Sequence, residues 1–184
     1  MAHVSCNQEQ SDDVNDFRDF LVLDAGASEH PEVQRLLKGK VGRKIEKPGA
    51  SMARKLKPVV LPGMTETGIY LGSVTYMQVD AQMVVRVVRN IARCLYYSEV
   101  DELIPLETRI AVIVLDNSNS HVPELREMVM SLGKTETFGD DVFRYKREFE
   151  PGAMACVFDF YKSRRFLCHA LWDIPDSQTA TGLL

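Results

Sequence analysis

The sequence contains no Cys-x-x-Cys pair. Its four cysteines, Cys6, Cys94, Cys156 and Cys168, are widely spaced, which argues against a structural zinc site. Its histidines, His3, His30, His121 and His169, form no His-Glu-x-x-His motif and no metal-ligand spacing with cysteine. Gly-x-x-x-x-Gly-Lys-Ser/Thr and Gly-x-Gly-x-x-Gly loops are both missing, so neither phosphate-binding signature is present. No catalytic group, cofactor or metal is expected from these patterns. Long apolar runs are lacking too. The uncharged stretch over residues 67–79 is too short and too polar to cross a bilayer. The first residues are acidic and polar, Ala2 stands where N-myristoylation needs Gly, and no Cys-a-a-X box closes the chain. The expectation is therefore a reducing compartment with free thiols buried as small apolar groups, and peripheral contact with any membrane.

What is present is an ordinary globular composition, 45% hydrophobic and 26% charged over 184 residues. That length supports one domain with a real core, or one domain and a tail. The net charge of −4 hides a segregation. Residues 1–34 carry Glu9, Asp12, Asp13, Asp16, Asp19, Asp24, Glu29 and Glu32 against Arg18. Residues 35–57 carry Arg35, Lys38, Lys40, Arg43, Lys44, Lys47, Arg54, Lys55 and Lys57 against Glu46. Blocks of charge this dense act locally, within a Debye length.

The patterning predicts an α+β fold, mostly antiparallel sheet with two helices packed on one side. Residues 1–58 read as a flexible arm, acidic and then basic. The first sixteen residues are rich in Ser, Asn, Gln and Asp, and such side chains do little to offset ordering entropy. Phe17, Phe20, Leu21 and Leu23 form a possible docking segment. Pro31 to Leu37 suits a short helix stopped by Gly39. The globular domain is expected over residues 59–174, with a loose tail over 175–184.

Within that domain, residues 69–79 are β-branched and aromatic and predict a strand. Val84, Val85, Val87, Val88, Ile91, Ala92 and Leu95 recur at helical spacing, so residues 81–97 predict a helix capped by Asp80. Residues 109–115 are an apolar run, followed by the polar segment Asp116-Asn117-Ser118-Asn119-Ser120, which predicts a buried strand and a loop. Pro123, Glu124 and Glu127 fit the first turn of a second helix ending at Gly133. Phe143, Tyr145 and Phe149 alternate with Arg144, Lys146 and Glu148, the period of a half-buried strand. Residues 155–161 and 166–172 predict two further strands joined by Lys162-Ser163-Arg164-Arg165, a turn without glycine. Three strands in succession without crossover helices should pair antiparallel.

The basic segment is the clearest functional signal. Nine cations on a Gly/Pro-containing stretch can follow a polyanion, either nucleic-acid phosphates or anionic lipid headgroups. Aromatics are missing from residues 35–57, so base stacking is not indicated. The plainer alternative is a solvated linker partly neutralised by the acidic segment. Arg86, Arg89 and Arg93, at i, i+3 and i+7, form a secondary basic stripe opposite the apolar face of the long helix. They either extend the basic surface or are simply its solvated side. His169 beside Cys168, and Asp116 with Ser118 and His121, are the remaining chemical candidates. Side chains so close in one loop seldom form a triad, and a capping loop is the better reading.

The order of basic arm, strand (residues 69–79), amphipathic helix (81–97), apolar strand with a polar Asn/Ser loop (110–120) and late strands resembles the matrix proteins of rhabdoviruses, the shorter plant-infecting kind. That resemblance covers about residues 35–172 and rests on layout and charge placement. It implies a viral structural protein, not an enzyme. Such a protein self-associates, condenses the nucleoprotein–RNA complex and bridges it to the inner face of the membrane through basic residues. The implied location is the virion and host cytoplasm, at the membrane periphery. The sequence departs from the pattern in lacking PPxY and PTAP budding motifs and in placing an acidic segment before the basic one. Tyr70-Leu71-Gly72-Ser73-Val74 and Ile113-Val114-Leu115-Asp116 look like strands of the thirty-kilodalton movement proteins of plant viruses. That second resemblance implies cell-to-cell movement and single-stranded RNA binding. A small hydrolase or transferase using Asp116 and His121 is a third reading.

Overall fold

The computed structural model describes residues 4–46, 57–65, 67–115 and 122–173. The expected 116–121 loop and 175–184 tail lie outside the described residues. The α+β expectation holds. A five-stranded antiparallel sheet, in the order β3-β7-β6-β5-β4, carries helices, and a separate two-stranded sheet precedes it in the chain.

The first correction concerns the N-terminus. Residues 4–46, expected as part of a flexible arm, are mostly helical, and the short helix expected at residues 31–37 is present. Helix α1 (Val4–Val22) is followed by a turn of 3₁₀ helix at Ala25–Ala27, α2 (Pro31–Leu36), a π-type turn (Leu37–Val41) and α3 (Gly42–Glu46). The polar composition that suggested disorder is real. Yet Phe17, Leu21, Val22, Ala27, Val33 and Val41 are buried, enough apolar area to fix these short helices against the body. Phe17 packs edge-on to Phe160 at 5.4 Å and near Phe166 at 6.0 Å. Pro31 sits in the first turn of α2, and the His30 imidazole accepts the Glu32 N–H at 3.2 Å as its cap. Gly39 does not stop the helical path but kinks it, at φ −109° and ψ −109°. Gly42 admits no side chain, because a Cβ there would lie 2.0 Å from the Leu37 carbonyl oxygen.

Strands β1 (Lys57–Met64) and β2 (Tyr70–Gln78) form an antiparallel hairpin of their own. Helix α4 (Ala81–Val100) then runs three residues beyond its expected end. Asp80 caps it, its carboxylate accepting the Gln82 N–H at 2.8 Å, and Asp101 ends it in the left-handed conformation at φ 58°. Met83, Val84, Val87, Val88, Ala92 and Tyr96 form its buried face.

Next come β3 (Ala111–Leu115), α5 (Pro123–Ser131), β4 (Glu136–Phe138), β5 (Phe143–Glu150), β6 (Ala153–Phe160) and β7 (Arg164–Leu171). The period-2 reading of β5 is correct. Phe143, Tyr145 and Phe149 join Met154, Cys156, Phe158, Phe166 and Cys168 in the core beneath α1 and α4. The opposite face of the sheet holds a smaller core of Val157, Leu167 and Leu115 with Leu132, against which Leu125, Met128 and Val129 of α5 pack. Helices therefore cover both faces, where one side was expected. The cause is the two-sided apolar content of β6, β7 and β3, which a single helical layer cannot bury.

The glycine-free β6–β7 turn is short. Tyr161 and Lys162 both adopt left-handed φ, 54° and 57°, as an I′ turn requires, and the Ser163 N–H donates to the Phe160 carbonyl at 3.0 Å. Buried Tyr161 and an ion pair from Lys162 to Asp141 hold it. Left-handed geometry costs a side-chain-bearing residue about 1 kcal/mol, and an exposed ion pair returns less. Lys162→Gly should therefore stabilise the protein by about 0.5 kcal/mol or more, read as a raised urea midpoint at unchanged slope.

Candidate functional site

The nine basic residues divide into three groups in the structure. Arg35, Lys38, Lys40, Arg43 and Lys44 lie on the α2–π-turn–α3 unit. Lys47, Arg54 and Lys55 lie outside the described residues. Lys57 opens β1.

The α2–α3 unit is rigidly seated. Val33 and Val41 are both fully buried and pin it at either side of the kink. Its cations are not equivalent. The Arg35 guanidinium makes a two-pronged ion pair with Glu32, at 2.7 and 2.6 Å. That hydrogen bond raises the Arg35 pKa and lowers that of Glu32. Lys44 donates to the carboxylate of Asp19, the one buried charged residue among those described, which also accepts from Arg18 at 2.8 Å. Arg43 stays exposed while its Nε donates to the Gly39 carbonyl at 3.2 Å. Lys38 and Lys40 are exposed on the kinked turn. Exposed Lys38, Lys40 and Arg43, beside Arg35 held by Glu32, are therefore what the described part of the segment offers, not nine equivalent charges on a loose arm.

The secondary stripe of Arg86, Arg89 and Arg93 is corrected. Arg86 makes a bidentate ion pair with Asp13 of α1, at 2.8 and 3.0 Å. Arg89 donates to the Ile110 carbonyl at 2.8 Å. Arg93 donates to the carbonyls of Ile104, Pro105 and Thr108 at 2.9, 3.2 and 3.0 Å. A guanidinium can satisfy several carbonyls at once, so these arginines anchor α1 and shape the loop after α4. The later bases are likewise engaged: Arg144 with Asp159, Arg147 with Glu99 and Arg164 with Asp24.

The chemical candidates separate. Cys168 and His169 are successive strand residues and face opposite sides of the sheet. Cys168 is fully buried opposite Cys156, and a hydrogen bond between the thiols, reinforced by burial, pushes the Cys156 pKa well up. His169 lies on the other face, in a groove beside α5. Asp116, Ser118 and His121 lie outside the described residues. Among the described residues, no group of three or more His, Cys, Asp or Glu side chains could hold a metal ion.

Two exposed features were missed in the sequence. The β1–β2 hairpin presents Val59, Val60, Leu61, Met64, Ile69 and Tyr70 to solvent, with exposures of 40–63%. The run Val-Val-Leu at 59–61 was the available signal, interrupted by Pro58 and Pro62. The loop braced by Arg93 presents Leu103 and Leu106, exposed by 79% and 87%, with Ile104 buried between them.

The chain matches no protein-family model, no curated protein and no solved structure. No helix among the described residues is long and apolar enough to cross a membrane.

Asp19→Ala leaves Arg18 and Lys44 facing each other without their shared anion. It should cost about 2–3 kcal/mol, the low end for a broken buried pair because both cations retain water contact. Urea unfolding checks this, with exposed Asp12→Ala as a near-neutral control.

Proposed function

We propose that this chain is a matrix-type structural protein of a virus, one that self-associates and bridges a nucleoprotein–RNA complex to the inner face of a membrane. The observation that carries the reading is the β1–β2 hairpin. Six large apolar side chains stay in water on a two-stranded sheet that, among the described residues, pairs with no other strand. Val59 and Leu61 lie on one face of the hairpin and Val60 on the other, so apolar side chains stay in water on both faces, an exposure that marks a contact site. The cationic turn of Lys38, Lys40 and Arg43 precedes it in the chain. One stretch thus supplies electrostatic attachment to a polyanionic surface and apolar area for contact between copies. The layout resemblance to rhabdovirus matrix proteins gives the reading its biological form. Lipid headgroups and RNA phosphates would recognise the same three cations, and competition between them is the discriminating measurement.

The test is co-flotation with anionic and neutral liposomes across a salt series, with single-stranded RNA as competitor. Salt-sensitive flotation with anionic vesicles that resists RNA is the expected result. Flotation lost on adding RNA would favour a movement protein, and no binding to either would remove the basic segment from the account. Lys38→Gln, Lys40→Gln and Arg43→Gln together should weaken anionic-vesicle binding by about 1 kcal/mol per charge and flatten its salt dependence. Lys44 is left intact because it neutralises Asp19. Separately, Val60→Glu with Ile69→Glu should lower the sedimentation coefficient of concentrated protein to the monomer value without shifting the thermal midpoint. An unchanged monomer–oligomer distribution would sink the hairpin as the contact.

A further inference from the structure

Cys156 on β6 and Cys168 on β7 stand directly opposite each other in the antiparallel ladder. Both are fully buried in the main core and both are free thiols. Directly opposite residues on antiparallel strands have Cα atoms about 4.5 or 5.5 Å apart, according to their place in the ladder. Either separation falls inside the range of about 4.4–6.8 Å that a disulfide spans. The two thiols hydrogen-bond each other, so their sulfurs meet on the same side of the sheet. The strands are consecutive and joined by the tight turn at Tyr161 and Lys162, and nothing beyond that hairpin is needed to align the pair. Access is what differs between the folded and the unfolded chain. Thiol–disulfide exchange needs a thiolate and an open approach to sulfur. In the folded protein burial denies the approach, and the thiol pairing and burial hold the Cys156 pKa well up.

We propose that Cys156 and Cys168 form a disulfide when the chain folds in the presence of a small disulfide oxidant such as oxidised glutathione, and that the core then seals the pair in whichever redox state it folded. The thiolate of one cysteine attacks oxidised glutathione, forming a mixed disulfide and releasing one glutathione thiolate. The thiolate of the other attacks the protein sulfur of that mixed disulfide, closes the Cys156–Cys168 bond and releases the second glutathione. Two protein thiols are oxidised, one oxidised glutathione is reduced to two thiols, and the protons lost by the cysteines end on them. The bond closes a loop of about thirteen residues and restricts the unfolded chain, which raises stability. Once the core has formed, burial acts in both directions: a reduced pair resists oxidants and an oxidised pair resists reductants. The inference is independent of the matrix reading.

The test uses the full chain carrying Cys6→Ser and Cys94→Ser, which leaves this pair alone. Reduced protein is unfolded in urea and diluted into a buffer of reduced and oxidised glutathione, and a second sample is incubated there without unfolding. Acid-quenched samples are read by mass spectrometry without reduction. Refolding should give a product lighter by two hydrogens, with Cys156 and Cys168 in one cross-linked peptide. Peptide mapping of the wild-type chain after the same refolding should show the same bond, apart from any made by exposed Cys94. The natively incubated sample should oxidise at least about a hundredfold more slowly, because exchange then waits on opening of the sheet core. The oxidised protein should show a higher urea midpoint than the reduced one and keep its bond in dithiothreitol until urea is added. Free thiols or glutathione adducts after refolding, or a lower urea midpoint in the oxidised protein, overturn the disulfide. Native oxidation as fast as that on refolding overturns the seal.

Discussion

The attachment of α1 to the rest of the molecule is the constraint on which the fold depends. The sheet has an aromatic face, Phe143, Phe158, Phe160 and Phe166, that must be kept from water. Helix α4 covers part of it. Phe17 and Leu21 of α1 cover more. A helix as polar as α1 would not hold its place by burial alone, and its acids supply the rest. Asp13 grips Arg86 on α4, Asp19 is enclosed by Arg18 and Lys44, and Asp24 accepts from Ser163 and Arg164 at the β6–β7 turn. The three lie along α1 and just past its end, and each reaches a different element. Gly26 permits the last contact, since a Cβ there would come within 2.5 Å of Ser163 Oγ. Together they fix the helix in register as well as in position. One surface ion pair would contribute little, but several in a partly buried arrangement share the cost of ordering one helix.

The same interactions explain why the charge segregation in the sequence does not become a segregated surface. Asp13, Asp19 and Asp24 of the acidic block dock the N-terminal segment, and Lys44 of the basic block receives one of them. Helix–helix contact between α1 and α4 rests on Arg86, and the shape of the loop after α4 rests on Arg93. Residues that look like a solvated stripe from their spacing are thus brackets between elements. A guanidinium serves this purpose better than an ammonium because its planar fork can hold two acceptors in fixed directions.

Much of the fold is legible because it depends on local periodicity. Helix α4 and β5 are written in spacing of 3.6 and 2, the Asp80 cap and the strand ending at Leu115 in local composition, and the antiparallel order of β5, β6 and β7 in the short connections between them. Helix α1 is not, because few of its residues are apolar and its stability comes from tertiary partners, from Lys44 25 residues beyond Asp19 to Arg86 73 beyond Asp13. Strand β1 is obscured by Pro58, Pro62 and Gly63, tolerable in a two-stranded sheet where one edge of each strand is unpaired. Strand β4 has three residues and too little pattern to detect. The candidate site was legible only in outline. Composition located the cations, but which of them stay exposed depends on Asp19, Glu32 and Asp13, and those pairings are set by tertiary structure. The apolar hairpin leaves no periodic trace, since it is defined by what the rest of the chain fails to cover.

That distinction bears on function. Charges that find intramolecular partners in the folded state are poor candidates for attachment, because an incoming polyanion must first compete with a carboxylate held at hydrogen-bond distance. The exposed ammonium groups of Lys38 and Lys40 face no such competition from Asp19 or Glu32, which are already occupied by Lys44 and Arg35. The kinked turn that carries them is anchored by Val33 and Val41, so little conformational entropy remains to be lost on contact. The apolar side chains of the hairpin follow the same logic with the opposite chemistry: they are ordered by the β1–β2 ladder and left uncovered. A surface that is already rigid and not yet satisfied is where association gains the most free energy, and in this chain both such surfaces fall within residues 38–70.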